Sequence, residues 1–338
     1  MIEALTDVRQ ISKLAYGFIA SKALFAALNL ELFRQLSQGA NTLAELSAAT
    51  GVRPPSLETL LATLRSVGLV TFADGKYGNA PAAERYLVPD RPAYFGDYYR
   101  HQIDRQIYPS MMSLDAGLRG DAGGLAHDSM SSLLSDPVEA EAFSRAQHAG
   151  SLGPALMLSK TLTFDGTRSL LDVAGGTGAF SICFCRTNPS LRATIIDFPN
   201  VTAVAQRFIA DAGLSDRIAL LPGDACKVEW PADQGIVLMS YLLSAVGESD
   251  IDLLLARAHR ALAPGGRLII HDFMLDEDRA GPMPAAAFFL FYLSLRTDPI
   301  SFTTSDITKR CERAGFVDVM DAVLIPEITK IVIARKPV

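Results

Sequence analysis

Two things are scarce in this chain of 338 residues: cysteine and excess basic charge. The four cysteines form no ligand pattern with a histidine, so we expect no metal site. We interpret them as reduced, small hydrophobic residues of a cytoplasmic protein; they are Cys183, Cys185, Cys226 and Cys311. Lys and Arg number 31 against 37 acidic residues, and this net charge of −6 argues against nucleic acid or an anionic membrane as a partner.

We expect neither a membrane-spanning helix nor an export signal. Its longest apolar run, residues 285–295, is shorter than the ~20 residues that a membrane helix needs. Residues 1–7 contain no basic segment of the kind that begins a signal peptide. Because 49% of the residues are hydrophobic, apolar surface remains for a subunit interface as well as a core. The length predicts two domains.

The chain does contain a glycine-rich loop between two apolar runs. Residues 170–178 read Leu-Leu-Asp-Val-Ala-Gly-Gly-Thr-Gly, a helix-compatible stretch covers 179–188, and a second apolar run over 193–196 ends in Asp197. This strand-loop-helix-strand pattern predicts a nucleoside across the ends of two parallel strands. The loop has neither the G-x-G-x-x-G of dinucleotide enzymes nor the Lys-Ser/Thr of a P-loop. It therefore favours a nucleoside without phosphates, such as S-adenosylmethionine, with Asp197 binding both ribose hydroxyls.

Short apolar runs alternate with helical stretches through the rest of this half. Strands are predicted over 217–221, 235–240 and 267–270, with an amphipathic helix over 251–262 that Ala263-Pro264-Gly265-Gly266 ends. This alternation predicts a doubly wound, Rossmann-like α/β domain with a parallel sheet covered on both faces.

The N-terminal third has a different, mostly helical pattern. Helices are predicted over 14–33, 45–50 and 56–67, followed by a short hairpin over 68–78, which together form a winged-helix pattern. Such a pattern raises the alternative of a DNA-binding regulator. The candidate recognition helix, residues 56–65, carries one Arg, one Glu and no Lys, which is too little positive charge to bind DNA phosphates.

These motifs resemble the small-molecule O-methyltransferase family of plant phenolics and bacterial aromatic natural products. The resemblance rests on residues 172–178, Asp197-Phe198-Pro199, Gly223-Asp224, residues 262–267 and Ala314-Gly315-Phe316, in the family's order. It implies a class I methyltransferase fold over 151–338 and a winged-helix dimerisation domain over 1–110. Residues 111–150 would be a helical linker that roofs the substrate pocket. The implied assembly is a homodimer formed through the N-terminal domain.

The resemblance also implies which residues bind S-adenosylmethionine and its product, S-adenosylhomocysteine. Gly175 and Gly178 would lie under the methionine and ribose portions, while Asp224 and the Ala225 N–H would contact adenine. An alternative for Asp224 is a plain turn residue after Gly223. The complete expected set is Ser151, Asp172, Gly175, Gly176, Gly178, Asp197, Phe198, Asp224, Ala225, Ser240 and Tyr241.

One departure from the family affects catalysis. Members that deprotonate a phenol place a His-Asp-Trp run after the fourth strand of the domain, and here Ser244-Ala245-Val246 occupies that place. Serine is no base near neutral pH without its own activator. Candidate substitutes are His148 and Glu248, although either could be an ordinary surface residue. His271 and Asp272 follow the fifth strand, where each could equally be structural.

The expected pocket is apolar and aromatic. Its predicted residues are Tyr98, Ser244, Phe288, Phe289, Tyr292 and Arg296. Helical spacing would place Phe288, Tyr292 and Leu295 on one face, though core packing explains the same pattern. Such a wall suits a small planar aromatic or polyketide-like acceptor. We expect O-methylation by proximity and orientation. C- or N-methylation, or different chemistry with the same cofactor, remains open.

Overall fold

The computed structural model describes residues 3–121, 134–164, 166–295 and 300–338. It divides into two compact units, Met1–Gln106 and Ile107–Val338. The described residues of 111–150, for which we expected a separate linker, belong to the second unit, as do residues 107–110, which we assigned to the N-terminal domain.

The first unit is a helical domain with one hairpin. Its helices are α1 Val8–Asn29, α2 Leu32–Ser37, α3 Leu43–Thr50, α4 Pro54–Ser66 and α5 Pro81–Tyr86, and its strands are β1 Val70–Ala73 and β2 Lys76–Asn79. A π-helical segment, Tyr98–Ile107, runs to the boundary of the unit. Thr42 and Glu45 form the capping box that begins α3. Asp74 and Gly75 both have positive φ, which suits a tight hairpin turn.

Helix α1 presents an apolar face that the first unit leaves exposed. Ala27 and Leu28 at its C-terminal end join the core of the unit, which consists largely of leucines from α2, α3 and α4. Toward the other end, Leu14 is 75% and Phe18 57% exposed. By length and composition α1 is apolar enough to cross a membrane, with 17% of its most apolar window buried. The sequence predicted a helix over 14–33, but charged residues interrupt its apolar run, so its membrane-spanning length was not predicted.

The second unit is built on a seven-stranded sheet. Its strands are β3 Ser169–Val173, β4 Arg192–Asp197, β5 Ile218–Pro222, β6 Gln234–Ser240, β7 Leu262–Asp272, β8 Val317–Ile325 and β9 Thr329–Arg335. The order is β5-β4-β3-β6-β7-β9-β8, in which β3 to β7 are parallel and β9 is antiparallel to both neighbours. The strand order reverses beside β3, and that is where ligands bind to doubly wound sheets.

Helices cover both faces of this sheet, which confirms the predicted doubly wound fold. Leu170 packs with α8, α9 and α10, whereas its neighbour Leu171 packs with α11 and α13 on the other face. The helices of the unit are α6 Tyr108–Ser110, α7 Leu114–Leu118, α8 Pro137–Thr161, α9 Ala179–Thr187, α10 Pro199–Asp211, α11 Glu248–Ala261, α12 Met283–Leu293 and α13 Thr304–Arg313, with a 3-10 turn at Met111–Ser113.

Strand β7 is longer than the sequence predicted. It begins at Leu262, which pairs with Gln234, and an irregularity between Gln234 and Ile236 absorbs the Pro-Gly-Gly segment before regular pairing resumes at Arg267. The Ala-Pro-Gly-Gly run therefore ends the helix as expected, but it lies in the strand that follows. Because β7 neighbours β6, the carboxyl ends of these two strands meet at the edge that carries the glycine loop.

Candidate active site

The glycine loop after β3 turns back sharply and is held by Asp197. Ala174, Gly176 and Gly178 all have positive φ, a conformation that favours glycine. The Gly176 N–H donates to Asp197 Oδ2 at 2.8 Å, and the Phe198 N–H donates to Oδ1 at 2.8 Å. Asp197 at the end of β4 therefore fixes the loop as well as facing it. A Cβ added at Gly176 would meet no atom within 4 Å, so the loop borders open space there.

Asp172 lies beneath the loop, fully enclosed. Its Oδ2 accepts a hydrogen bond from Ser181 Oγ at 2.6 Å, while Oδ1 is buried without a partner among the described residues. A Cβ at Gly175 would lie 2.7 Å from the Asp172 carboxyl carbon, so only glycine fits at that position. Burial raises the pKa of Asp172 to about 6 and, through the same cause, the pKa of Asp197 to about 6.

The residues expected to face adenine sit on a tight turn after β5. Asp224 Oδ1 accepts the Cys226 N–H at 2.9 Å, and its Oδ2 lies 3.0 Å from Lys227 Nζ. The carbonyl of Ala225 accepts the indole N–H of Trp230 at 2.9 Å. Asp224 thus has the turn role of the alternative interpretation, while its half-exposed position leaves it open to a ligand.

A nucleoside without phosphates fits this end of the sheet. Asp197 at the tip of β4 has one carboxylate oxygen at the loop, open space borders the loop at Gly176, and the loop carries no Lys for a phosphate. The Gly223 N–H also donates to the Asp197 carbonyl at 2.8 Å, so the glycine loop, Asp197 and the turn with Asp224 lie at the same edge of the sheet. Ser151 lies half-buried on α8, one turn after His148.

His148 contacts the glycine loop directly. Its Nδ1 lies 2.6 Å from Thr177 Oγ1, and its ring packs 4.3 Å from the Phe208 ring. Burial, with a smaller effect of Arg145, lowers the pKa of His148 to about 4. The imidazole is therefore neutral near pH 7 and weakly basic. The sequence analysis did not single out Thr177, although its place among the loop glycines was a signal for it.

The carboxyl end of β6 carries Ser240 and Tyr241. Ser240 Oγ is 2.9 Å from His271 Nδ1, and His271 Nε2 is 2.9 Å from Thr329 Oγ1. The Tyr241 ring meets His271 edge-on at 4.5 Å. Tyr241 has a φ of 54°, which is uncommon for a bulky residue and marks this strand end as a strained point of the backbone.

Ser244 is fully buried against Asp272. Its hydroxyl donates to Asp272 Oδ1 at 2.6 Å, its N–H donates to Oδ2 at 3.1 Å, and neither residue has exposed surface. We expected Ser244 in the pocket wall, and its complete burial corrects that prediction. The hydroxyl is enclosed because Asp272, at the end of the neighbouring strand, needs donors.

Glu248 lies on the surface at the start of α11. Its carboxylate pairs with Arg310, which also pairs with Asp252 at 2.9 Å, and its side chain is 62% exposed. This arrangement gives Glu248 a partner on α13 and no place among the groups at the strand ends.

Aromatic rings line the region between β7 and α12. Phe273 stacks on Phe288 at 4.3 Å and contacts Tyr241 at 5.2 Å, and Phe288 meets Tyr292 at 5.4 Å. Phe289 points instead to Phe302 in the core. Phe273 was not predicted, although its position at the end of a strand that borders the site was a signal for it.

Two further residues, Arg296 and Tyr98, were predicted for the pocket. Arg296 is outside the described residues. Tyr98 belongs to the first unit, where its ring packs against Phe95 at 4.9 Å. Leu295 falls beyond the end of α12 at Leu293, so helical spacing does not extend to it.

Comparisons with known proteins agree with this geometry. A profile of the O-methyltransferase domain matches residues 126–317, and one of the O-methyltransferase dimerisation domain matches residues 12–89. A 3-hydroxy-5-methyl-1-naphthoate 3-O-methyltransferase of Streptomyces sahachiroi is 32% identical over 82% of this chain and 80% of its own. An L-tyrosine C(3)-methyltransferase of Streptomyces lavendulae is 29% identical over 93% of this chain and 88% of its own. The structure of human N-acetylserotonin methyltransferase with S-adenosylmethionine shares the fold, with a TM-score of 0.88, 22% identity and complete coverage of both chains.

Proposed function

The chain belongs to the O-methyltransferase family, and on that premise we propose that it methylates a small aromatic natural product without a general base at the position of Ser244. S-adenosylmethionine is the cofactor, and when bound it supplies an electrophilic methyl group on a sulfonium. Asp197, the loop glycines and Asp224 would hold it, and the rings of Phe288 and Tyr292 would face the acceptor.

The observation that carries this proposal is the inward-turned Ser244. Both its hydroxyl and its N–H are bound to Asp272, and neither residue is exposed. The two other candidate bases have different partners, since His148 binds Thr177 and Glu248 pairs with Arg310. Transfer then depends on holding the acceptor in line with the methyl group, which contributes much of the acceleration in such reactions. An acceptor with an acidic hydroxyl suits this arrangement best.

Carbon methylation is the second candidate. An electron-rich aromatic carbon also reacts without prior deprotonation by the enzyme, and the tyrosine C(3)-methyltransferase among the relatives carries out that type of transfer. Oxygen stays the preferred acceptor because the family profile and the naphthoate relative both carry O-methyltransferase names.

The described fold also supports a homodimer, since the matched dimerisation domain includes most of α1. We place the exposed apolar face of α1 in the subunit interface rather than in a membrane. We further propose that the enzyme works in the cytoplasm and binds no nucleic acid.

The test uses S-adenosylmethionine with a labelled methyl group and a panel of planar acceptors. The panel contains a hydroxynaphthoate, a phenolic amino acid and an aromatic amine, and the products are assigned by mass spectrometry and NMR. We expect the labelled methyl group on the hydroxyl oxygen of a hydroxynaphthoate-like acceptor. Asp197→Asn serves as the matched variant with weakened cofactor binding. Cofactor binding without label transfer to any acceptor that is consumed would overturn the methyltransferase proposal.

The missing base has its own test. Across hydroxyl acceptors of different acidity, the pH at which kcat rises should follow the pKa of the acceptor. Glu248→Gln should retain full activity because its carboxylate is held by Arg310 on the surface. A pH profile that is identical for all acceptors would instead indicate an enzymic base.

A further inference from the structure

Two consecutive residues at the end of β7, His271 and Asp272, hold the two ends of one short segment. Side chains alternate along a strand, so the two point to opposite sides of the sheet. His271 contacts Ser240 at the end of β6, and Asp272 contacts Ser244, which follows Ser240 by four residues. Both have 0% exposed surface, so neither reaches a substrate itself. The segment between the two contacts carries Tyr241.

Asp272 organises the turn after β6. Its carboxylate accepts the hydroxyl and the N–H of Ser244 and the N–H of Phe273, the last at 2.8 Å. The turn closes with a hydrogen bond from the Ala245 N–H to the Leu242 carbonyl at 3.0 Å. A buried carboxylate surrounded by donors leaves several unsatisfied groups when it is replaced. The turn is therefore tied to the end of β7.

His271 fixes the other end. Burial lowers the pKa of His271 to about 3, so the ring is neutral. One ring nitrogen then donates and the other accepts, which sets the directions of the bonds to Ser240 and Thr329. The backbone of His271 contributes as well, since its carbonyl accepts the Tyr241 N–H at 2.8 Å. Together these contacts hold Tyr241 at its positive φ, with its ring against His271 and Phe273.

Tyr241 lies between the glycine loop and the aromatic rings of Phe273 and Phe288. On one side, β6 pairs in parallel with β3, and the register Val173↔Met239 brings Tyr241 beside the start of the glycine loop. On the other side, Phe273 connects it to the stacked ring of Phe288. We propose that His271 and Asp272 are positioning residues that hold Tyr241 between methyl donor and acceptor, so that this ring aligns them for transfer. This inference rests on the proposed function, since the methyl donor and the acceptor are those of the proposed methyl transfer.

The test compares Ser244→Ala, Asp272→Asn and the double variant. We expect kcat of Asp272→Asn to fall by about tenfold to a hundredfold, because small misplacements of reacting groups slow the chemical step by that amount. The Kd of S-adenosylhomocysteine, measured by calorimetry, should stay within about twofold, because neither Ser244 nor Asp272 is among the residues proposed to hold the cofactor, namely Asp197, the loop glycines and Asp224. If Asp272 acts through Ser244, the double variant should be no slower than Asp272→Asn alone. The matched control, Asp211→Asn, removes an exposed acid from α10 of the same unit and should change neither quantity.

A second readout is independent of turnover. Hydrogen exchange of residues 240–247 should become at least tenfold faster in Asp272→Asn, while the exchange of β3 and β4 stays unchanged. Should that variant fail to fold, Ser244→Ala removes one hydroxyl only, and Tyr241→Gly keeps the positive φ but deletes the ring. Tyr241→Gly should lower kcat as strongly as Asp272→Asn, and Tyr241→Phe should keep most of it.

Several results would overturn the proposal. One is an unchanged kcat in both Ser244→Ala and Asp272→Asn. Another is unchanged hydrogen exchange of residues 240–247 in Asp272→Asn. A third is a loss of cofactor affinity as large as the loss of kcat. Failure of the proposed function itself would give a different result. The wild-type protein would then transfer no labelled methyl group, while hydrogen exchange of residues 240–247 would still be faster in Asp272→Asn.

Discussion

Replacing Asp197 by Asn tests the assignment of the cofactor site most directly. Asp197 accepts two backbone N–H groups at 2.8 Å, from Gly176 and Phe198, and a carboxylate has lone pairs for further donors. A ribose with two hydroxyls would donate to this carboxylate, and a hydrogen bond to a charged group contributes about 1.5–3 kcal/mol. Asn keeps one acceptor oxygen, so we expect the net loss of about one such bond. That corresponds to roughly tenfold to a hundredfold weaker binding.

Calorimetry with S-adenosylhomocysteine measures this effect without turnover. The Asp211→Asn control should bind as wild type does, and circular dichroism should show that Asp197→Asn is folded. An affinity within twofold of wild type in folded Asp197→Asn would refute the ribose assignment.

The pH dependence gives the same test a second arm. Burial raises the pKa of Asp197 to about 6, so the carboxylate is present above pH 6 and is lost as the pH falls through that value. Ribose hydroxyls donate to the ionised form, and wild-type affinity should therefore decline below pH 6, by up to about tenfold per pH unit. Asp172 has its pKa raised to about 6 as well, so Asp172→Asn should be measured beside it. Affinity that falls equally steeply in Asp197→Asn would assign the titration to another group.

Three further changes test other parts of the structure. Gly178→Ala should lower the free energy of unfolding by about 1–3 kcal/mol in urea titrations, because φ is +81° and the new Cβ would lie 2.7 Å from Ile195; unchanged stability would contradict that geometry. His148→Ala and Thr177→Val should each weaken cofactor binding several-fold and leave kcat at saturation unchanged, whereas a loss of kcat in His148→Ala alone would make His148 a base. Leu14→Glu with Phe18→Glu should convert dimer to monomer in sedimentation experiments, while exposed Ala62→Glu should not.

The strand-loop-helix-strand unit that brings the glycine loop to Asp197 could be predicted because its signals are local. The loop glycines and Asp197 belong to one strand-loop-helix-strand unit, and their spacing alone brings them to the same strand ends. Ser244 could be located by counting, but its orientation could not, since its partner Asp272 comes 28 residues later and meets it only through the pairing of β6 with β7. The same holds for His271, whose partners lie on β6 and β9.

The sequence left open which aromatic residues of α12 face a pocket and which face the core, because composition has two explanations there. The aromatic residues of α12 were assigned together to a pocket, yet Phe288 faces the rings at the strand ends and Phe289 faces the core. Periodicity shows which residues share a helix face, but it does not show what that face meets. The antiparallel strands β8 and β9 were not predicted, because their exposed and buried positions alternate too weakly to mark a half-buried strand.

The apolar face of α1 links the stability of this protein to its concentration. If that face is covered by a second copy of the chain, folding and association share one free energy, and dilution acts as a denaturing condition. Each tenfold dilution then removes about 1.4 kcal/mol from the dimer relative to two unfolded chains. The melting temperature should therefore rise with protein concentration, and the expression level of the enzyme becomes one of the variables that keep it folded.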